Sequence, residues 1–395
     1  MTFGGFRVER RVGVPGWAGF AVPIISTAVA TGLAAVLLVA SDQNPIAVFT
    51  RMFEISFVGT NSISSTLTAA TPITLTGLAV AVAFRMKAWN IGGEGQLYVA
   101  AAAAAAVGIA FGNSGTGVAI LAMIAVGAAA GALWILGPAV LRIRFHTTEL
   151  IATLMLNYVA ALLLLYLIFS SNSYVRDISP EALVYPQGKE IGESSFWPPL
   201  IMGGIVVPLG YLIGLVFTAI LYVVMRFTRL GFFIRVIGAS PTTGRYAGMR
   251  TSRIFLVVML LSGALSGLAG ASQIGDFSHH LEPRGLPAAQ YAWTGVVVAL
   301  VANLNPLGVI ASGFAIGGLR NAAFELQGSE FPNGFVGIMQ GLILFSIAMG
   351  LALVHFRIAR KPVDARETDR AAFGEPIGSE PVGAEPFGSM KGTEP

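Results

Sequence analysis

The sequence predicts an all-α protein that crosses a membrane about ten times. Hydrophobic residues make up 55% of the chain and charged residues only 11%, whereas soluble domains carry roughly 25% charged residues. The mean hydropathy is +0.74. A helix needs about 20 residues to cross about 30 Å of hydrocarbon, and several uncharged stretches are that long. These observations place the chain among multi-pass membrane proteins.

Apolar stretches divide the chain into spans. The longer ones, which reach spanning length, are 18–40, 63–84, 117–141, 150–169, 199–225, 254–274 and 334–355. The shorter ones, 96–111, 291–303 and 307–319, either span with tilt or re-enter where protein shields the backbone. We therefore predict a membrane domain over 18–356, an arm at 1–17 and a tail at 357–395. Because Glu-Pro pairs recur in the tail, we expect it to be disordered.

The basic residues predict the orientation of these spans. With the N-terminus inside, 19 of the 24 Lys and Arg residues fall on the cytoplasmic side and 5 outside. This is the bias that the positive-inside rule requires. It predicts a multi-pass protein of the cell (inner) membrane with both termini in the cytoplasm. The formal charge of +4 then reflects topology and does not call for a nucleic-acid partner.

The sequence contains no catalytic or metal-binding pattern. Cysteine is absent, and the adjacent His279 and His280 lack the spacing of metal ligands. The one Gly-Lys pair, Gly188-Lys189, precedes Glu190 and not the Ser or Thr of a nucleotide-binding loop. We therefore expect no ATPase site and no cofactor in this chain. Uphill transport would draw on an ion gradient or on a separate ATPase.

Charged residues are expected only outside the predicted spans or at their edges. Ion-coupled transporters often keep ionisable groups within their spans, whereas the polar residues inside these spans are uncharged, for example Gln340. This pattern favours a neutral cargo over a proton relay. It leaves sodium coupling through carbonyl oxygens open. A stand-alone ion-coupled transporter of a small polar solute is therefore the alternative function.

The stretch FRMKAWNIGGEGQLY, residues 84–98, interrupts two apolar runs. Arg85 and Lys87 predict an inner turn, and the glycines let the backbone break and re-enter. Glu94 and Gln96 either cap exposed N–H groups of the next helix or face the pathway, and capping is favoured. Together with polar residues of other spans, this stretch gives the candidate pathway or gate residues: Asn90, Gly92, Glu94, Gln96, Asn157, Tyr158, Gln273 and Asn305.

Other side chains within the spans contact either neighbouring helices or cargo. Asn157 needs a hydrogen-bond partner in the membrane, and a neighbouring helix is favoured. Trp89, Tyr98, Tyr158 and Trp293 could stack on a purine or pyrimidine. For the two tryptophans, a position at the membrane interface is favoured. Glycines at 127 and 131, and at 263, 267 and 270, predict close helix packing.

The longest basic connection between two spans, residues 226–253, contains a predicted short helix. Ser240 is a good N-cap, Pro241 suits the first helical position, and Gly248 can adopt the left-handed conformation that ends a helix. Arg245 and Tyr246 would then be presented to another protein. An ordinary capped connector is the alternative interpretation.

Four segments carry a family resemblance: NIGGEGQ at 90–96, TTELIATLMLNY at 147–158, GASPTTGRYAGM at 238–249 with LSGALSGLAGA at 261–271, and TGVVVALVANLNPLG at 294–308. In this combination and order, the sequence resembles the permease subunits of ABC importers for ribose-type sugars, branched-chain amino acids and nucleosides. The pattern is most similar to the larger permease of nucleoside importers.

The resemblance implies a type II importer permease that forms the pathway for a nucleoside, a simple sugar or a branched-chain amino acid. The implied partners are an ATPase subunit that uses ATP and Mg, a second homologous permease and an extracytoplasmic substrate-binding lipoprotein, besides the small-molecule cargo and membrane lipid. The loop 226–253 becomes the connection to the ATPase. Its coupling segment comprises Gly238, Ser240, Pro241, Thr243, Arg245, Tyr246, Ala247 and Gly248.

Overall fold

The computed structural model describes residues 2–3, 6–10, 18–112, 114–170, 172–326 and 334–360. The chain divides into two compact units. The larger is Pro15–Leu351, and the smaller combines Met1–Val14 with Ala352–Pro395.

The larger unit consists almost entirely of helices. Their bounds are α1 Ala18–Ala40, α2 Pro45–Phe57, α3 Thr60–Arg85, α4 Gly93–Ala110, α5 Thr116–Phe145, α6 Glu149–Phe169, α7 Pro180–Val184, α8 Leu209–Phe227, α9 Arg229–Ala239, α10 Pro241–Tyr246, α11 Thr251–Ser272, α12 Gly285–Ala289, α13 Tyr291–Val301, α14 Pro306–Leu326 and α15 Phe335–His355. A π-helix, Gln273–Ser278, continues α11. A hairpin precedes α8, with strands β3 Leu200–Met202 and β4 Ile205–Val207.

The helix lengths confirm a polytopic all-α protein. Eight helices of the described residues are long and apolar enough to cross a membrane. Two shorter apolar stretches, Gly285–Val301 and Gly337–Gly350, account for the remaining predicted segments. Their order agrees with the ten segments expected from the sequence. The cytoplasmic position of the termini stays a prediction.

The structure differs from the predicted spans in two places. The stretch predicted to span from residue 199 first forms the hairpin, and its helix begins only at Leu209. Gly203 and Gly204 have positive φ values of 56° and 84°, so the chain reverses there and cannot continue one helix. Helix α2 was not predicted, because its 13 residues are too few to span and include Arg51 and Glu54.

Helix α3 is the centre of the bundle. Almost all of its side chains from Thr66 to Phe84 are buried. It packs against α8, α11, α13 and α14. A helix that is apolar on every side is typically buried inside a bundle. Helix α3 has this character, because it carries no charged residue before Arg85.

Helices α5 and α11 cross at the predicted glycines. A Cβ atom at Gly131 would lie 2.7 Å from the Cα of Gly267 and would collide with the carbonyl oxygen of Gly263. A Cβ at Gly267 would collide with the carbonyl oxygen of Gly127. The backbones therefore approach as closely as small residues allow, and the predicted close packing is confirmed.

The smaller unit contains a three-stranded antiparallel sheet in the order β1-β2-β5. Its strands are β1 Thr2–Phe3, β2 Phe6–Arg10 and β5 Phe356–Arg360. Phe6 pairs with Arg360 and Arg10 with Phe356. Strands thus occupy parts of the predicted arm and the first residues of the predicted disordered tail. The rest of that tail, 361–395, lies outside the described residues.

Candidate functional site

The turn between α3 and α4 folds back into the bundle. Its carboxamide-bearing residue, Asn90, forms reciprocal hydrogen bonds with Gln96: Asn90 Nδ2 donates to Gln96 Oε1 at 3.2 Å, and Gln96 Nε2 donates to Asn90 Oδ1 at 2.9 Å. Asn90 Nδ2 also donates to Ser262 Oγ at 2.8 Å. Ser262 Oγ donates to the carbonyl oxygen of Ala79 at 2.8 Å. One buried network therefore joins the turn to α4, α11 and α3.

Asn157 fixes the same turn from helix α6. Its Oδ1 accepts from the backbone N–H of Gly95 at 2.8 Å, and its Nδ2 donates to the carbonyl oxygen of Ile91 at 2.9 Å. A Cβ at Gly92, which precedes α4, would lie 3.0 Å from Thr153 Cβ on α6. The α6 side chains thus satisfy the broken backbone of the turn, as irregular backbone within a membrane requires.

Tyr158 does not join this network. Its side chain is 64% exposed on the surface of α6, whereas the neighbouring Asn157 is buried. The two adjacent candidates therefore have different surroundings, since Asn157 faces the bundle and Tyr158 its surface. Whether either contacts cargo stays a prediction.

Glu94 caps a helix that lies about two hundred positions further along the chain. Its Oε1 accepts from the backbone N–H groups of Ala292 at 2.9 Å and Trp293 at 3.3 Å, in the first turn of α13. The carboxylate is only 3% exposed. Oε2 has no hydrogen-bond partner of good geometry, although the side chain of Tyr98 lies beside the carboxylate. A negative charge at a helix N-terminus is stabilised by the unpaired N–H groups and the helix dipole.

The contacts of Glu94 correct one expectation, and the position of another charged residue corrects a second. Glu94 was expected to cap the next helix or face the pathway, but it is itself part of the first turn of α4 and caps α13. Charged groups were also expected only outside the spans or at their edges. Asp276 lies in the last turn of the apolar helix Thr251–Ser278, which is an edge position as expected, whereas Arg320 lies six residues before the end of Pro306–Leu326. The argument from absent charge against ion coupling is therefore weaker than the sequence indicated.

Asp276 repeats the arrangement of Glu94. It lies in the π-helix that continues α11, and its carboxylate accepts from the backbone N–H groups of Leu209 at 3.1 Å and Gly210 at 2.9 Å. These groups open helix α8. Sequence reasoning missed this contact. The available signal was an acidic residue directly after the glycine-rich stretch of α11.

Gln273 and Asn305 lie apart from the hydrogen-bonded network around Asn90. Gln273 is buried as the first residue of the π-helix. Asn305 Oδ1 accepts from the backbone N–H of Leu307 at 3.2 Å, in the first turn of α14. Its contact is that of a helix cap.

Helix α10 has the predicted boundaries of the coupling segment. Ser240 Oγ accepts from the backbone N–H of Thr243 at 3.3 Å, and Pro241 is the first helical residue. Ala247 is the C-cap residue, and Gly248 follows with φ +74°. Local capping chemistry is therefore sufficient to define this element.

The coupling segment is exposed along most of its length, from Pro241 to Gly248 with the exception of Gly244. Tyr246 is 90% exposed, and Arg245, Ala247 and Gly248 are exposed as well. Gly238 differs, because it is buried and a Cβ there would collide with the carbonyl oxygen of Arg85. Gly238 thus packs the segment against the end of α3 and does not form part of its outer surface.

A loop segment, residues 187–197, packs over the C-terminal end of α4 and over the π-helix that continues α11. Ser195 Oγ donates to the carbonyl oxygen of Gly108 at 2.9 Å, and Trp197 N–H donates to that of Gly275 at 3.0 Å. The His279 ring stacks on Phe196 with centroids 3.9 Å apart. Burial lowers the pKa of His279 below its ordinary value. The imidazole is therefore neutral near pH 7, and the contact is an apolar stack.

Known proteins similar to this chain are transport permeases. The family described as "branched-chain amino acid transport system / permease component" matches residues 62–348. The guanosine ABC transporter permease protein NupP of Bacillus subtilis is 31% identical over 84% of this chain and 94% of its own length.

Two further relatives match along most of their length. The glucose ABC transporter permease protein TsgB13 of Haloferax volcanii is 28% identical over 89% of this chain and 93% of its own. The nucleoside ABC transporter permease protein NupB of Lactococcus lactis is 24% identical over 88% of this chain and 96% of its own. Because the family match covers well over half of the sequence, this chain belongs to the permease family of branched-chain amino acid transport systems and is the membrane-spanning permease of an ABC transporter.

Proposed function

We propose that this chain is one of two permease subunits of an ATP-driven importer that carries nucleosides across the cell membrane. The observation that carries this proposal is the similarity to a guanosine permease over nearly the whole length of both chains. A second relative is named for nucleosides.

A simple sugar is the second candidate cargo. The permease from Haloferax volcanii is named for glucose and covers a similar share of the chain. Nucleosides and glucose share a ring that carries hydroxyl groups, so similar hydrogen-bonding groups can suit both chemistries. A branched-chain amino acid, the cargo in the family's description, is the third.

The proposed complex supplies what this chain lacks. An ATPase subunit that binds ATP and Mg would dock on the cytoplasmic side at the exposed end of α10, through Arg245 and Tyr246. A second, homologous permease would complete the pathway, and an extracytoplasmic lipoprotein would deliver the cargo. A stand-alone ion-coupled transporter has no such need for an exposed cytoplasmic docking element.

Uptake by the complete complex tests the cargo. The complex is reconstituted in proteoliposomes with ATP inside, and labelled guanosine, glucose and leucine are supplied outside with the binding protein. We expect saturable guanosine uptake that excess unlabelled guanosine abolishes and excess leucine does not. Uptake of glucose alone would replace nucleoside by sugar as the cargo, and uptake of leucine alone would contradict both candidates.

A further inference from the structure

Trp293 is an exposed aromatic residue on a buried helix. Its side chain is 42% exposed, whereas Tyr291, Ala292 and Thr294 beside it are buried. Helix α13 also packs against α3, α4 and α14, so few of its side chains reach a free surface. Trp293 is therefore the principal group that this helix presents outside the bundle core.

The depth of Trp293 follows from the contacts of its neighbours with α3. Thr76 Oγ1 donates to the carbonyl oxygen of Tyr291 at 3.1 Å. Thr76 lies nine residues before Arg85, the last residue of α3, which places it about 13 Å along the helix axis from that end. With Arg85 at the predicted inner edge of the membrane and hydrocarbon about 30 Å thick, this distance places the N-terminus of α13 near the middle of the membrane.

This depth is unusual for a tryptophan that faces lipid. Tryptophan favours the membrane–water interface, where its ring contacts lipid and its N–H contacts water. Trp89 fits that pattern, since it follows the end of α3 and its ring packs edge-on against Phe84 at 4.8 Å. The inferred depth of Trp293 does not suit the interfacial position expected from the sequence, and its ring suits a protein-lined pathway through which cargo passes.

The backbone at Trp293 is held in place. Glu94 Oε1 accepts from the N–H of Trp293, and Thr294 Oγ1 donates to Gln340 Oε1 at 3.2 Å. Tyr291 contacts the guanidinium of Arg320, whose Cζ lies 4.6 Å from the ring centroid. These contacts fix the backbone at the start of α13, and with it the point from which the indole projects.

We propose that Trp293 is a cargo-contacting residue that stacks on the purine or pyrimidine base of the nucleoside as it passes the middle of the membrane. The inference rests on the proposed function, since a sugar or an aliphatic amino acid has no base to stack. Aromatic stacking accepts any base, because each base has a π-face. Glu94 is a positioning residue that acts through the backbone of Trp293.

Guanosine binding tests the proposal. The purified permease–ATPase complex, without the binding protein, is titrated with labelled guanosine by equilibrium dialysis. We expect Trp293→Ala to weaken the affinity about 10-fold, in the range that base–aromatic stacking contributes. Trp293→Phe retains an aromatic face and should lose less than about 3-fold. Trp89→Ala is the matched control, because Trp89 is similarly exposed, at 45%, but lies at the end of α3.

The outcomes separate this inference from the proposed cargo. Unchanged guanosine affinity in Trp293→Ala, in a complex that imports guanosine, would overturn the role of Trp293 alone. Equal losses in Trp293→Ala and Trp293→Phe, or in Trp89→Ala, would overturn it as well, since they would not depend on an aromatic ring at mid-membrane. An unmutated complex that neither binds nor imports guanosine would refute the proposed cargo, and the inference with it.

Discussion

At the scale of single residues, Glu94 illustrates how far the sequence determines the site. The carboxylate stands in a stretch of glycines and amides, and this pattern was sufficient to predict a capping role. The capped helix, α13, begins about two hundred positions later. No local pattern connects the two, because the contact exists only when the fold brings the N-termini of α4 and α13 together.

Removal of the Glu94 carboxylate should destabilise the protein. Glu94→Ala leaves the N–H groups of Ala292 and Trp293 without their acceptor. We expect a loss of about 1–3 kcal/mol, the typical cost of a buried unpaired polar group, and a smaller loss in Glu94→Gln, which keeps one acceptor oxygen. Thermal unfolding of the purified protein measures this. Glu54→Ala, at an exposed site on α2, is the control and should leave the melting temperature unchanged.

If Glu94→Ala and Glu54→Ala melt at the same temperature, the cap does not contribute to stability.

Asn157 shows the complementary case. Its amide was expected to bond either a neighbouring helix or cargo, and both of its polar atoms are engaged with the turn at Ile91 and Gly95. The sequence could place the amide in a span but could not show which backbone atoms it satisfies.

At the scale of elements, local chemistry determines what could be predicted. Helix α10 was predicted with its cap, its first residue and its terminating glycine, because each of these signals lies within the helix or directly beside it. The hairpin before α8 was missed, because its residues are as apolar as a span and only Gly203 and Gly204 mark the turn. Apolar composition alone does not distinguish a short strand from part of a helix.

The exposed end of α10 should dock the ATPase. Arg245→Ala and Tyr246→Ala remove exposed side chains without disturbing the helix caps. We expect reduced binding of the ATPase subunit and less transport for each ATP hydrolysed, while the amount of folded permease stays unchanged. Co-purification and ATPase assays measure both. Tyr185→Ala, at an exposed tyrosine on the loop between α6 and α8, is the control.

Wild-type assembly and uptake in Arg245→Ala and Tyr246→Ala would refute the docking role of α10.

Gly248→Ala tests the same element through its backbone. Because Gly248 has φ +74°, an alanine there costs about 1–2 kcal/mol locally. This variant should therefore weaken docking by distorting the end of the helix.

The crossing of α5 and α11 yields a prediction with an internal control. Gly131→Ala would bring its Cβ against the carbonyl oxygen of Gly263, and we expect it to destabilise the protein by about 1–3 kcal/mol, as overpacked cores do. Gly137→Ala lies on the same helix with no atom within 4 Å of its Cβ. It should be neutral or stabilising by up to about 1 kcal/mol. Thermal unfolding distinguishes them, and equal melting temperatures would contradict the close crossing.

At the scale of the whole molecule, the amino-acid composition predicted a membrane protein, and the lengths of the apolar stretches predicted the number of membrane segments. The chain could be assigned to a multi-pass, all-helical protein because 55% of its residues are hydrophobic. The arrangement of helices around α3 could not be predicted, since apolar helices of similar composition are interchangeable in a sequence pattern. The family resemblance added the permease role, which packing considerations alone do not give.

The orientation of the chain can be tested directly, because it contains no cysteine. Single cysteines are introduced as Tyr246→Cys and Tyr185→Cys, at exposed positions. In intact cells that express this chain without the ATPase subunit, a membrane-impermeant maleimide should label the second and not the first, since the bias of basic residues places α10 inside. Permeabilised cells should label both. The reverse pattern would invert the predicted topology.

The central claim is that this permease imports its cargo with energy from a separate ATPase. The measurement is the accumulation of labelled guanosine in proteoliposomes that contain either the complete complex or this chain alone. We expect accumulation above the external concentration only with the complete complex, the binding protein and internal ATP, and none with an ATPase subunit that cannot hydrolyse ATP. Accumulation by this chain alone, driven by a sodium or proton gradient, would contradict the account.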